Sequence, residues 1–260
     1  TGLRGLSYFE IKVFGPSHDL HSGLYGGAIR NPANVLIDLI AGMKDTDGRI
    51  TLPGFYNLVI PLSAEERSQF ERLPVTDEDI QRQTGTEALW GEKGYTSIER
   101  IGARPTLDVN GLYSGFIGEG SKTIIPAWAM AKISMRLVPD QEPAEIREGF
   151  IKYVNGHIPA GVRWEFKEHS SAKACLVDRN AEAVSALAKA QETVWGVPPV
   201  YKREGGSVPV SLTFQKLLGV ESVLTGFGLP DDNIHSPNER LHLPTWKRGI
   251  ETLILFFFNL

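Results

Sequence analysis

The chain has 260 residues, 42 % of them hydrophobic and 22 % charged, which excludes a disordered, collagen-like or long coiled-coil protein. Lys and Arg number 27 against 31 Asp and Glu, a formal charge of −4, and no basic stripe stands out, so no nucleic-acid partner is expected. The one cysteine, Cys175, excludes a disulfide framework within the chain and points to a reducing, cytoplasmic setting.

Ser7 to Phe14 alternates, with Phe9, Ile11 and Val13 on one side and Tyr8, Glu10 and Lys12 on the other, which predicts a half-buried strand ended by Gly15-Pro16. Ser17 to Gly27 reads as a Gly-rich loop. Asn31-Pro32 then opens a helix as N-cap and first turn, with Val35, Leu36, Leu39, Ile40 and Met43 as its buried face. Lys44 to Arg104 is irregular, holds Pro53, Pro61 and Pro74, and reads as a surface insertion with one short helix near Thr76 to Gln83.

Thr106 to Tyr113 is a second strand. Ser121 to Leu137 carries further strand signal, interrupted by Pro126. Within it Ala129, Ala131, Ile133, Met135 and Leu137 form a wholly apolar face, so the face bearing Lys132, Ser134 and Arg136 is expected to meet a partner or a site. Pro143 opens a helix through Val154, and Val162 to Phe166 is a last strand. This order predicts an antiparallel sheet with two helices on one face, ending near Lys173.

The remainder is α/β in character. Asn180 is expected to cap a helix closed by Gly196, Ser207 to Leu218 forms another helix, Ser222 to Thr225 a short strand, and Thr245 to Phe258 a closing helix. About 85 residues cannot cover both faces of a parallel sheet, so further strands are expected from sequence before Thr1, which is not a Met. The longest apolar stretch, Leu253 to Phe258, is far short of the ~20 residues of a membrane span. No signal peptide, repeat or low-complexity segment is visible.

Three loops concentrate polar chemistry. In Asp19-Leu20-His21-Ser22-Gly23, His21 can donate to an oxyanion, titrate near neutral pH, or simply bond its own loop; His18 could join it on a metal, but no third ligand is near. Arg203-Glu204-Gly205-Gly206-Ser207-Val208-Pro209 leads into a helix, so it is either a seat for a carboxylate or phosphate or an ordinary N-cap. It lacks the Gly-Lys-Ser/Thr ending of a nucleotide phosphate loop. Asp231 to Glu239, with His235 at its centre, suits a metal ion or a solvated turn. Cys175 follows no distinctive motif and reads as an inert thiol rather than a nucleophile.

Taken together and in order, these loops, with Gly26-Gly27, Asn31-Pro32 and the run from Gly120 to Pro139, resemble the dinuclear zinc metallopeptidase and amidohydrolase family of carnosine dipeptidase, carboxypeptidase G, aminoacylase and acetylornithine deacetylase. The likeness is greatest to its cytosolic dipeptidase branch. It implies a lid (dimerisation) domain over residues 1–173, with the insertion at about 44–104, followed by the C-terminal segment of an α/β catalytic domain over 174–260. It also implies hydrolysis of dipeptides or short peptides with a free C-terminal carboxylate, two zinc ions per intact site (manganese or cobalt suiting the same donors), and a homodimer built through the lid. By the same resemblance His235 is the last zinc ligand, and His21 reaches into the partner's site to stabilise an oxyanion. Thr123, Arg136, His169, Gly206 and Ser207 contact substrate, Arg136 through its carboxylate. No His-x-Asp motif is in these 260 residues, and the family's bridging Asp and catalytic Glu-Glu pair are expected in a first half outside them. The chain alone is therefore expected to be inactive, the general base and most ligands belonging to a missing first half. Deacylation of N-acyl amino acids by the same machinery, or a non-catalytic dimerisation module, are the alternatives.

Overall fold

A computed structural model of the protein describes residues 2–206, 209–220, 222–234 and 236–260. The chain opens with β1 (Gly2–Leu3) and β2 (Gly5–Phe14), separated by Arg4 alone. It continues with β3 (Leu20–His21), α1 (Ser22–Tyr25), α2 (Pro32–Gly42), α3 (Ala64–Glu71), α4 (Asp77–Thr84) and α5 (Ser97–Ala103). Then follow β4 (Thr106–Ser114), β5 (Ile124–Ile125), β6 (Trp128–Leu137), α6 (Pro143–His157), β7 (Arg163–Ala172), β8 (Cys175–Leu176), α7 (Glu182–Trp195), β9 (Arg203–Glu204), α8 (Pro209–Leu218) and α9 (Leu243–Asn259).

The large sheet has the order β4–β6–β2–β7 and is antiparallel throughout. Its pleat sorts the side chains as the alternation predicts. Phe9, Ile11 and Val13 of β2, and Ala129, Ala131, Ile133, Met135 and Leu137 of β6, are completely buried. α2 and α6 cover that face, contributing Leu36, Leu39, Phe150 and Val154 to one core. Phe9 meets Phe150 and Phe166 edge-on at 5.2 and 5.0 Å, the favoured geometry of paired rings. The Asn31 side chain accepts the Ala33 N–H at 2.9 Å, and Pro32 occupies the first turn of α2. The opposite face of the sheet is uncovered: Tyr8, Glu10, Lys12, Lys132, Ser134 and Arg136 are half-buried there.

The segment Lys44 to Arg104 is less superficial than its composition suggests. Ile50, Leu52 and Phe55 belong to the main core, and Gln141 ties that loop down by donating to the Phe55 carbonyl at 2.8 Å. Besides α4 near its expected place, the segment holds α3 and α5, each opened by a reciprocal capping box, Ser63–Glu66 and Thr96–Glu99. Both are short and lack a long apolar stripe, so periodicity did not reveal them. Arg104 and Glu92 are buried together, two hydrogen bonds of 2.8 Å joining them.

β1 does not join the large sheet. It lies antiparallel to β8 and parallel to β9 in a small three-stranded sheet, with Leu3, Cys175, Val177 and Val184 forming a second core. α7 packs on α9, and the Trp195 indole donates to Thr252 Oγ1 at 3.2 Å. Cys175 is buried and bonds Gln215 at 3.2 Å, as suits an inert thiol.

Several expectations need correction. The loop Ser17 to Gly27 contains β3 and α1, because Leu20 and His21 find a pairing partner in Ile124–Ile125. The last strand of the large sheet runs to Ala172, not Phe166. Asn180 does not cap α7: Ala181 holds that position without a side-chain bond, and the Asn180 N–H donates to Asp178 Oδ1 instead. Ser222 to Thr225 forms no strand, since no described neighbour offers it a ladder. The expected helix start at Ser207 lies outside the described residues, and α8 is described from Pro209 onward. Among the described residues no helix is long and apolar enough to cross a membrane.

Candidate functional site

His21 stands at one corner of the sheet. Its strand pairs with β5, His21 opposite Ile124, and the Ser22 N–H donates to the Thr123 carbonyl at 2.8 Å. Asp19 anchors this corner by accepting the Ala127 N–H at 2.9 Å. His21 Nδ1 accepts the Gly23 N–H at 3.0 Å, an approach that only glycine permits, since a Cβ at position 23 would lie 2.8 Å from the ring. In the neutral imidazole this places the proton on Nε2. Nε2 is exposed and 3.5 Å from Thr123 Oγ1. The corner therefore presents one imidazole N–H and one hydroxyl side by side, a pair able to donate to a carbonyl oxygen.

Arg136 sits near the other end of β6, paired with Leu6 on one side and Thr106 on the other. Eight residues of strand, about 26 Å, separate it from Trp128 beside the His21 corner. His169 shares the uncovered face with Arg136, two strands across the sheet and two to three residues farther along it. A register shift in β7 leaves His169 between Glu168, opposite Phe9, and Ser170, opposite Tyr8; its Nε2 lies 3.0 Å from Glu10 Oε2. The bulge thus aims a histidine at a carboxylate on the open face.

The Arg203–Gly206 turn comes to this same end through Arg4. Arg4 Nε donates to the Gly205 carbonyl at 3.2 Å and Nη1 to the Arg104 carbonyl at 3.3 Å. Gly205 is packed, a Cβ there meeting the Ile101 carbonyl at 2.9 Å, whereas among the described residues nothing lies within 4 Å of a Cβ at Gly206. Burial pushes the Glu204 carboxyl up, but Lys202 at 2.8 Å, the Gly205 N–H at 3.0 Å and nearby Arg4 hold it below the usual carboxylate range.

Arg136, His169 and the Gly206 turn therefore gather at one end, and His21 with Thr123 at the other. Ser207 and His235 lie outside the described residues. His18 Nδ1 lies 3.0 Å from Ser17 Oγ, away from any ligand set. The Asp231 to Glu239 loop is stapled by Arg240, which pairs with Asp231 and stands 3.6 Å from Asp232, while Asp232 accepts the Leu229 N–H at 2.7 Å. Among the described residues no three His, Cys, Asp or Glu side chains stand together, so they do not by themselves make a metal centre. Arg4 and Glu10 carry no signal in the sequence: a lone Arg between two strands makes no motif, and Glu10 is one of three residues on the polar side of an alternating strand.

A sheet roofed by two helices is followed by a small α/β unit. Residues 1–162 match the M20 peptidase dimerisation domain, and the chain belongs to that family. It is 34 % identical to the Cys-Gly metallodipeptidase DUG1 of Candida albicans over 97 % of this chain and 53 % of that protein. It is 28 % identical to the human Beta-Ala-His dipeptidase over the whole of this chain and 52 % of that one. Among solved structures, the dipeptidase Dug1p of Saccharomyces cerevisiae superposes with a TM-score of 0.85 at 29 % identity, covering 99 % of this chain and 55 % of that one. The M20 family metallo-carboxypeptidase Sso-CP2 of Sulfolobus solfataricus gives 0.86 at 30 %, covering 98 % and 58 %. The chain spans about half the length of the curated relatives it matches.

Proposed function

We propose that this chain is part of a metal-dependent dipeptidase that cleaves the peptide bond of dipeptides or short peptides bearing a free C-terminal carboxylate. The observation that carries this reading is the likeness, along nearly the whole chain, to Cys-Gly and Beta-Ala-His dipeptidases. The geometry supports it. Arg136 offers a planar two-pronged donor to a terminal carboxylate on an otherwise open sheet face. Among the described residues nothing crowds Gly206, where substrate would lie. His169, held by Glu10, borders the same space.

His21 supplies the proton at Nε2 to the carbonyl oxygen as it gains charge, with Thr123 alongside. Because His21 and Arg136 occupy opposite ends of β6, we place them in one site only across a homodimer, each lid lending its His21 to the partner. β4 is an edge strand with Val109, Leu112 and Tyr113 exposed, which suits pairing between two lids. We take His235 as one ligand of a two-zinc centre whose other ligands, with the general base, lie outside these 260 residues. Residues 1–173 form the lid and 174–260 the closing segment of the catalytic domain, and the setting is cytoplasmic.

Kinetics decide the reading. The metal-loaded, full-length enzyme should cleave dipeptides in preference to N-acetyl or N-succinyl amino acids, and these 260 residues alone should cleave neither. Preference for the acyl amino acids would make it a deacylase. Absence of both activities and of bound metal would leave a dimerisation module.

A further inference from the structure

Arg4 is the single residue between β1, which belongs to the small sheet, and β2, which belongs to the large one. A guanidinium placed there can bond both units at once, and it does: one nitrogen reaches the Gly205 carbonyl at 3.2 Å, another the Arg104 carbonyl at the foot of β4 at 3.3 Å. A methyl at Gly205 would stand 3.0 Å from a third, Nη2. Arg4 also feels the charges of Arg136, Asp108 and Glu204. Burial above all, and then Arg136, push its pKa down to about 10, still a full cation at neutral pH. A half-buried cation beside another cation is costly to hold unless it is tied by hydrogen bonds or shares an anion.

We infer that Arg4 is a positioning residue that holds the Gly205–Gly206 turn against the Arg136 end of the sheet, and so sets how tightly a substrate carboxylate is held there. The inference deepens the dipeptidase reading and rests on it for the identity of the ligand. Two bonds from one planar group to carbonyls on two units fix a distance that lysine, with a single ammonium, cannot reproduce.

The test is Arg4→Met and Arg4→Lys in the full-length, metal-loaded enzyme. Loss of a charge-assisted bond to the turn should raise KM for a dipeptide about tenfold or more with a smaller change in kcat. The preference for the free dipeptide over its C-terminal amide should shrink alike, and Arg4→Lys should not restore it. Amide hydrogen exchange, which needs no turnover, should show Gly205 and Gly206 exchanging about tenfold faster in Arg4→Met while the β2 amides stay protected. Should wild-type enzyme cleave no dipeptide, the functional reading falls, and exchange still decides whether Arg4 holds the turn. Unchanged exchange at Gly205–Gly206, or full rescue by Lys, overturns the inference. If Arg4→Met does not fold, Gly205→Ala, whose methyl meets Arg4 and the Ile101 carbonyl, should give the same KM and exchange signature; wild-type values there would equally overturn it.

Discussion

At the scale of single residues, the hydrogen bonds set what each group can do. With Nδ1 of His21 accepting from Gly23, the ring must keep its proton on Nε2 to remain neutral and capped. His21→Ala should therefore lower kcat of the full-length enzyme about 10²–10³-fold, the usual cost of losing one oxyanion donor. The exposed position means the melting temperature should hardly move. A variant with wild-type kcat would remove His21 from the reaction. Glu204 tests the turn by pH. Its folded pKa is depressed, so its contribution to stability is present above the ordinary glutamate value and is lost as pH falls through the lower folded value. The melting-temperature gap between wild type and Glu204→Gln should be present above the ordinary glutamate value and shrink as the pH falls below it. A gap that persists in acid would mean that Glu204 acts through packing, not charge.

Whole elements show where a sequence can be read and where it cannot. β2, β6, α2 and α6 were legible because each shows one unbroken apolar period, and their buried residues fall where that period puts them. α3 and α5 were not, because eight and seven residues with few apolar positions signal only through caps. The candidate site divides the same way. Arg136 stood out as a polar residue on a two-faced strand, whereas Arg4 acts through bonds to carbonyls 100 and 201 residues away that no local pattern records. The segment Lys44 to Arg104 shows a further limit, since its internal anchor is an ion pair. Arg104 and Glu92 are 3 % and 6 % exposed, with Arg49 as a second partner for Glu92 at 3.1 Å. Arg104→Met leaves a buried carboxylate short of its main partner and should cost about 3–5 kcal/mol of stability by denaturant unfolding. The double variant with Glu92→Met should recover most of it. If the single variant is as stable as wild type, the pair is incidental to the segment.

For the molecule as a whole, the decisive feature is the separation of its two polar ends. Arg136, His169 and the Gly206 turn share one end of the sheet, while His21 and Thr123 share the other, with about 26 Å of β6 between Arg136 and Trp128. An extended dipeptide spans only about 7 Å between the outermost backbone atoms of its two residues. One chain folded on itself thus has to stretch long side chains along the strand to serve one substrate from both ends, whereas in the proposed dimer a twofold axis would bring the His21 corner of one lid to the Arg136 end of the other. The two arrangements differ in a single experiment. His21→Ala and Arg136→Met full-length proteins, each nearly inactive, are unfolded, mixed in equal amounts and refolded. Across a dimer, the mixed pair has one site with both defects and one with none. Random pairing makes half the dimers mixed, so the mixture should regain about a quarter of wild-type turnover. If both residues serve the site of their own chain, every site in the mixture carries a defect and no activity returns.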